Sequence, residues 1–243
     1  MISIIEQTLS FDGLVWLIIT VIFAGLVRGF VGFGTALIFM PIAASVTSPI
    51  WAIIIMMSFD IFGPLALLPR AWRDGEPAEV SLLVVGAIVG LPIGVYFLTQ
   101  IDPTLFRWLV SILTLLMLIL LARGWRYKNP LNNFMLMFIG SVGGFMAGIA
   151  ALSGPPVILT YMSSLRPPSV IRGNTMLYLF FVDILLFAVF LLKGLLSLLP
   201  FVIGLFLAIP YTLGGLLGQR LFNPKKELLY RRIAYGLIAI SAL

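Results

Sequence analysis

Ten apolar runs divide the chain: Leu14 to Gly32, Ala36 to Val46, Ile50 to Pro69, Val80 to Leu98, Leu105 to Ala122, Leu131 to Ala150, Val157 to Leu165, Ile171 to Leu192, Leu196 to Gly218 and Leu228 to Leu243. Polar or Pro/Gly breaks separate them. A membrane-spanning helix takes roughly 20 apolar residues, so runs of this kind leave no room for a separate soluble domain. Composition agrees: 61% of the 243 residues are hydrophobic and 10% are charged, where soluble domains carry about 25% charged residues. The chain reads as an all-α integral membrane protein whose first partner is the lipid bilayer.

The residues that are missing narrow its chemistry. The chain has no Cys and no His, which removes disulfides, zinc sites, thiolate nucleophiles, imidazole acid/base relays and the usual haem ligands. No cofactor, metal site or enzymatic activity is therefore expected. No Gly-x-x-x-x-Gly-Lys-Ser/Thr phosphate loop occurs either, so the chain supplies no ATP drive of its own. The net charge of +6 is scattered through short loops instead of forming a basic stripe interleaved with aromatics. It reads as a topology signal and not as a nucleic-acid surface. Met1 to Gly13 carries Glu6 and Asp12 but no Lys or Arg, unlike the basic start of a cleaved signal peptide. The first apolar run is expected to remain a membrane helix.

The two halves repeat. Gly25-x-x-x-Gly29-x-x-Gly32-x-Gly34-Thr35 lies over Gly144-x-x-x-Gly148-x-x-Ala151-x-Ser153-Gly154 at a constant offset of 119, and Pro49 falls on Pro168 at the same offset. Gly86 and Leu91-Pro92 lie over Gly204 and Ile209-Pro210 at offset 118, and Leu105-Phe106-Arg107 over Leu229-Tyr230-Arg231 at offset 124. As a single helix, Leu14 to Thr47 would be about 51 Å long against a hydrocarbon core of roughly 30 Å. It must fold back, and Gly32 to Thr35 is the expected turn. Each repeat is then a Gly-turn hairpin plus three transmembrane helices, an odd unit that inverts its copy. The N-terminal repeat is residues 1–128 (hairpin 14–47, helices 50–69, 80–98 and 105–122). The C-terminal repeat is residues 129–243 (hairpin 131–165, helices 171–192, 196–218 and 228–243).

The distribution of Lys and Arg tests that topology. It puts Arg70, Arg73, Arg123, Arg126, Lys128, Arg166, Arg172, Arg220, Lys225, Lys226, Arg231 and Arg232 on one side, with only Arg107 and Lys193 on the other, a split of 12 against 2. Eight plain spans would divide the same residues 8 against 6. By the positive-inside rule the basic side is cytoplasmic, and both termini are expected outside, in the periplasm.

The paired stretches Gly25 to Pro41 and Gly144 to Pro156, together with the Pro49 and Pro168 helix starts and the Leu105-Phe106-Arg107 and Leu229-Tyr230-Arg231 helix entries, resemble the sulfite exporter TauE/SafE family over essentially the whole chain. The resemblance implies a permease of the bacterial inner (cytoplasmic) membrane for small anions such as sulfite, sulfonates or related carboxylates. The expected function is a secondary transporter, an exporter by that resemblance, with proton coupling left open. A passive anion channel and a membrane anchor subunit of an enzyme complex are the alternatives. A homodimer is compatible with all three.

Inverted repeats bring broken helices together at the midplane, where half-helix N-termini aim backbone N–H groups at an anion. The turn residues Gly32, Gly34, Thr35, Ser153 and Gly154 are therefore expected to line the substrate path, with the Thr35 or Ser153 hydroxyl capping the next helix or donating to an oxyanion. Gly25/Gly29, Gly86/Gly90 and Gly144/Gly148 fit small-residue packing contacts instead. Arg28 lies deep in an apolar run and offers a planar fork for a sulfonate or carboxylate, or else snorkels to the cytoplasmic surface. Arg172 and Asn174 are candidate gate or substrate contacts. Asp60 and Asp183 are the acids placed mid-span, where charge is costly. Each is either a proton-coupling carboxyl or a structural one bonded to neighbours such as Ser58, Asn174 and Tyr178. Ionisation of both around an anion would be self-defeating.

Overall fold

The computed structural model describes residues 2–65, 68–123, 131–161, 166–221 and 227–242, and these form helices only. Twelve occur: α1 (Ile2–Leu9), α2 (Leu14–Val31), α3 (Thr35–Val46), α4 (Pro49–Phe62), α5 (Leu68–Asp74), α6 (Pro77–Leu98), α7 (Pro103–Ala122), α8 (Asn133–Ala150), α9 (Gly154–Tyr161), α10 (Pro168–Leu192), α11 (Leu198–Leu221) and α12 (Glu227–Ala242). Among them α6, α7, α8, α10 and α11 are long and apolar enough to cross a membrane, and α1 with α2 passes the same test as a pair bent by 74°. The repeat boundary expected at 128/129, and Arg126, Lys128, Lys225 and Lys226, lie outside the described residues.

The apolar runs become helices with few changes. α1 is an addition, set off from α2 by Asp12-Gly13. The run from Ile50 to Pro69 is the main correction: it is not one span. α4 ends at Phe62, Gly63 follows as its C-cap, and α5 starts only at Leu68. Gly63 itself keeps helical backbone (φ −61°, ψ −48°), and Pro64 after it has no N–H to donate to the ladder. Asp60 therefore stands in the last turn of α4 and not in the middle of a continuous helix.

Both expected turns form. Gly32 (φ 86°) and Gly34 (φ 102°) take left-handed backbone between α2 and α3, and Gly32 N–H closes α2 on the Arg28 carbonyl at 2.8 Å. At the matching place in the second half the left-handed residue is Ala151 (φ 57°), which carries a Cβ where glycine would be unstrained. Ala151→Gly is expected to relieve about 1 kcal/mol of strain, partly offset by roughly 0.5 kcal/mol of extra unfolded-chain entropy. The thermal midpoint should rise slightly, and that of Gly32→Ala should fall. Thermal unfolding of the two purified variants checks both signs.

Two tight crossings hold the bundle. α6 lies on α8 and α2 on α11. At the first crossing, a Cβ at Gly86 or Gly90 would fall inside contact distance of the Met137 and Ser141 carbonyl oxygens. Only hydrogen at those positions allows the backbones to meet, as the small-residue spacing requires. α4 and α10 also touch. The core of the described residues runs through α3 and α4, where Phe39, Met40 and Ile53 to Ile55 are buried.

Candidate functional site

The two crossings and the α4 break bring four polar side chains together inside the apolar bundle. Arg28, in the last turn of α2, is 8% exposed. Its Nη1 donates to Asp60 Oδ2 at 2.9 Å and to Thr35 Oγ1 at 3.4 Å. The other oxygen of Asp60 accepts from the Tyr211 hydroxyl at 2.5 Å, and Tyr211 and Thr35 share a hydrogen bond of 3.0 Å. Backbone dipoles favour part of this arrangement. A cation suits the C-terminal turn of α2, whereas a carboxylate at the C-terminal turn of α4 opposes that helix's dipole. Asp60 depends on Arg28 and Tyr211 for its stability there. Asp183, on α10, is 6% exposed and close enough to feel the charges of Asp60 and Arg28. Its Oδ2 has no hydrogen-bond partner among the described residues.

Several expectations change. Arg28 does not snorkel; it turns inward onto Asp60. Thr35 does not cap α3, whose N-cap is Gly34 without a side-chain bond; its hydroxyl joins the cluster instead. The proposed neighbours of the two acids also lie elsewhere. Ser58 Oγ donates to the Ile54 carbonyl and Tyr178 to the Gly140 carbonyl. Arg172 is partly exposed, and its side chain lies over the Gly32 turn, with Nε 3.6 Å from where a Gly32 Cβ would stand. Ser153 and Gly154 are buried at the second turn, near Leu179 and Gly143.

Asn174 belongs to a second cluster at the start of α6 and α10. Its Oδ1 accepts from the Glu76 N–H at 2.6 Å, and its Nδ2 donates to Glu79 Oε2 and to the Tyr161 hydroxyl, each at 3.1 Å. Arg166 forms ion pairs with both Glu76 and Glu79. This knot ties α6, the end of α9 and α10 together. Asn174 is fully buried with both ends of its amide engaged, so it closes the knot. Asn174→Leu, of similar volume, is expected to cost about 2–3 kcal/mol by stranding the Glu76 N–H and weakening the Glu79 site. Arg166→Ala should cost less, because the guanidinium is 38% exposed and solvent screens it. Thermal unfolding of the two variants gives the order.

Tyr211 is the cluster member that sequence reasoning missed. It directly follows Pro210 inside an apolar run, and a phenol there needs a partner. The matched Ile209-Pro210 pair marked the place. Gly63 makes room for the ring, since a Cβ on it would meet Tyr211 Cδ1 at 2.5 Å.

These helices and their buried ion pair define a multi-pass membrane protein with a charged centre. The chain belongs to the sulfite exporter TauE/SafE family, whose model matches residues 17–243. That family consists of membrane transporters for sulfite-like anions. No curated protein and no solved structure matches the chain.

Proposed function

We propose that the chain is a secondary transporter of the cytoplasmic membrane that passes a small anion, such as sulfite, a sulfonate or a carboxylate, over Arg28. One observation carries the reading: a buried guanidinium stands one turn before a glycine turn, held by the Asp60 carboxylate and the Thr35 hydroxyl, with the Tyr211 hydroxyl bonded to both of these partners. An Arg fork binds such oxyanions with two parallel donors, and Gly32 and Gly34 let backbone approach beside it. Arg172, over Gly32, lines the entrance, and Ser153 and Gly154 form the opposing turn. Asp60 or Asp183 carries coupling to protons.

Two inverted repeats, with basic loops in the cytoplasm and both termini in the periplasm, complete the proposal. The contacts support the duplication, because exchanging the halves maps them onto each other. α6 on α8 becomes α11 on α2, α10 on α6 becomes α4 on α11, and the α4–α10 and α7–α12 contacts map onto themselves.

The test is uptake into proteoliposomes of a panel comprising sulfite, sulfoacetate, taurine, thiosulfate and lactate. Saturable uptake of one or more anions that responds to a pH gradient supports a transporter. Non-saturating, current-carrying flux would make it a channel, and no flux above protein-free liposomes would overturn the reading.

A further inference from the structure

The two acids at the centre are not equivalent. Asp60 has both oxygens engaged, Oδ2 by Arg28 and Oδ1 by Tyr211. Neutralising it would strip a buried cation of its counter-charge, which is strongly unfavourable in a low-dielectric interior. Asp183 is also buried, yet its Oδ2 has no partner among the described residues. The charged groups it feels are Asp60 on α4 and Arg28 on α2. On its own helix it acts on Tyr178, whose hydroxyl donates elsewhere, to Gly140. The charges of the other elements against α10 are committed away from it. Arg70 and Arg73 of α5 pair with Asp74, and Glu79 of α6 and Tyr161 of α9 meet Asn174, nine residues earlier on α10.

Charge counting then sets the order of events. Arg28 with Asp60 and Asp183 both ionised is a centre of one positive and two negative charges. A monoanion arriving at Arg28 would add a third negative charge in a medium where Coulomb repulsion is only weakly screened. A proton on Asp183 removes one of the negative charges without disturbing the Arg28–Asp60 pair.

We propose that anion binding at Arg28 is linked to protonation of Asp183, while Asp60 stays ionised as the fixed partner of Arg28, so that the chain moves its anion and a proton together in the same direction. The inference rests on the transport reading above. The proton adds to a carboxylate oxygen of Asp183, forming one O–H bond, and returns to water when the anion leaves on the other side. No other bond changes. For a monoanion each cycle is electroneutral, and linkage makes the effect mutual: the proton tightens anion binding and the anion tightens proton binding.

The experiment measures binding of methanesulfonate to the purified full chain from about pH 5 to about pH 9. A sulfonate stays ionised over this range, so any pH dependence belongs to the protein. Wild-type affinity is expected to fall by up to roughly tenfold per pH unit on the alkaline side. Asp183→Asn, an isostere of the neutral acid, should bind at every pH as the wild type does under acid conditions. Asp183→Glu should restore the pH dependence. A wild-type slope that survives in Asp183→Asn overturns the assignment.

Infrared titration without ligand is the second arm. The carbonyl stretch of a protonated buried carboxyl should bleach as the pH rises in the wild type and be missing from Asp183→Asn. If the band persists in that variant, or is absent from the wild type, the proposal fails. If methanesulfonate and the transport panel bind at no pH while the infrared band behaves as stated, the transport reading is what fails and the proton site stands.

Discussion

Gly90→Val should abolish recovery of folded protein from the membrane, whereas Gly236→Ala should leave it unchanged. The contrast follows from what a new side chain meets. At Gly90 a Cβ would collide with the Ser141 carbonyl of α8, and Gly86 and Gly140 meet the facing backbone in the same way; at Gly236 no atom of the described residues lies within 4 Å. Overpacking against flexible side chains costs about 1–3 kcal/mol. Here the obstacle is backbone on both sides of the crossing, so α6 and α8 must separate along their length and lose the van der Waals contact that holds helices together in lipid. A cost above about 3 kcal/mol is expected. Monodispersity of the detergent-solubilised variants on a sizing column is the readout.

The second large effect concerns the central ion pair. Asp60→Asn removes the counter-charge of Arg28 and is expected to destabilise the fold by about 3–5 kcal/mol, the usual consequence of leaving a buried charge uncompensated. Arg28→Gln should cost a similar amount by stranding Asp60 at the unfavourable end of α4. The double variant should cost far less than the sum, because two neutral amides can bond to each other and to Tyr211 and Thr35. That pattern of strong non-additivity marks a true buried pair. Additive losses in thermal unfolding would mean that Arg28 and Asp60 act separately.

How far the sequence anticipated this centre varies with the residue. Arg28, Asp60 and Asp183 stood out because charge inside an apolar run is rare and costly. The Gly32–Gly34 turn was visible because the run there is too long to cross a membrane once. Their partners were not visible locally: Asp60 meets Arg28 from 32 residues away and Tyr211 from 151 residues away, and only the folded crossings bring them into reach. Tyr211 also escaped notice because a hydropathy reading counts tyrosine as apolar and overlooks its hydroxyl. The break in α4 was hidden for a related reason, since Gly63-Pro64 lies within a run whose hydropathy is continuous even though its backbone ladder is not. Glu76, Glu79 and Arg166 sit at helix ends, where charges read as loop or topology signals; their closure around Asn174 depends on α6, α9 and α10 meeting.

The most direct test of the central claim, that the anion passes over Arg28, is uptake of radiolabelled sulfite into proteoliposomes by the Arg28→Gln/Asp60→Asn double variant beside the wild type. The double variant is expected to keep the fold, and its thermal unfolding, measured beside uptake, separates lost transport from lost structure. The account predicts saturable uptake by the wild type and roughly ten- to a hundredfold less by the double variant, the loss of one charge-assisted contact to an oxyanion. Uptake by the double variant at the wild-type rate and affinity would contradict it.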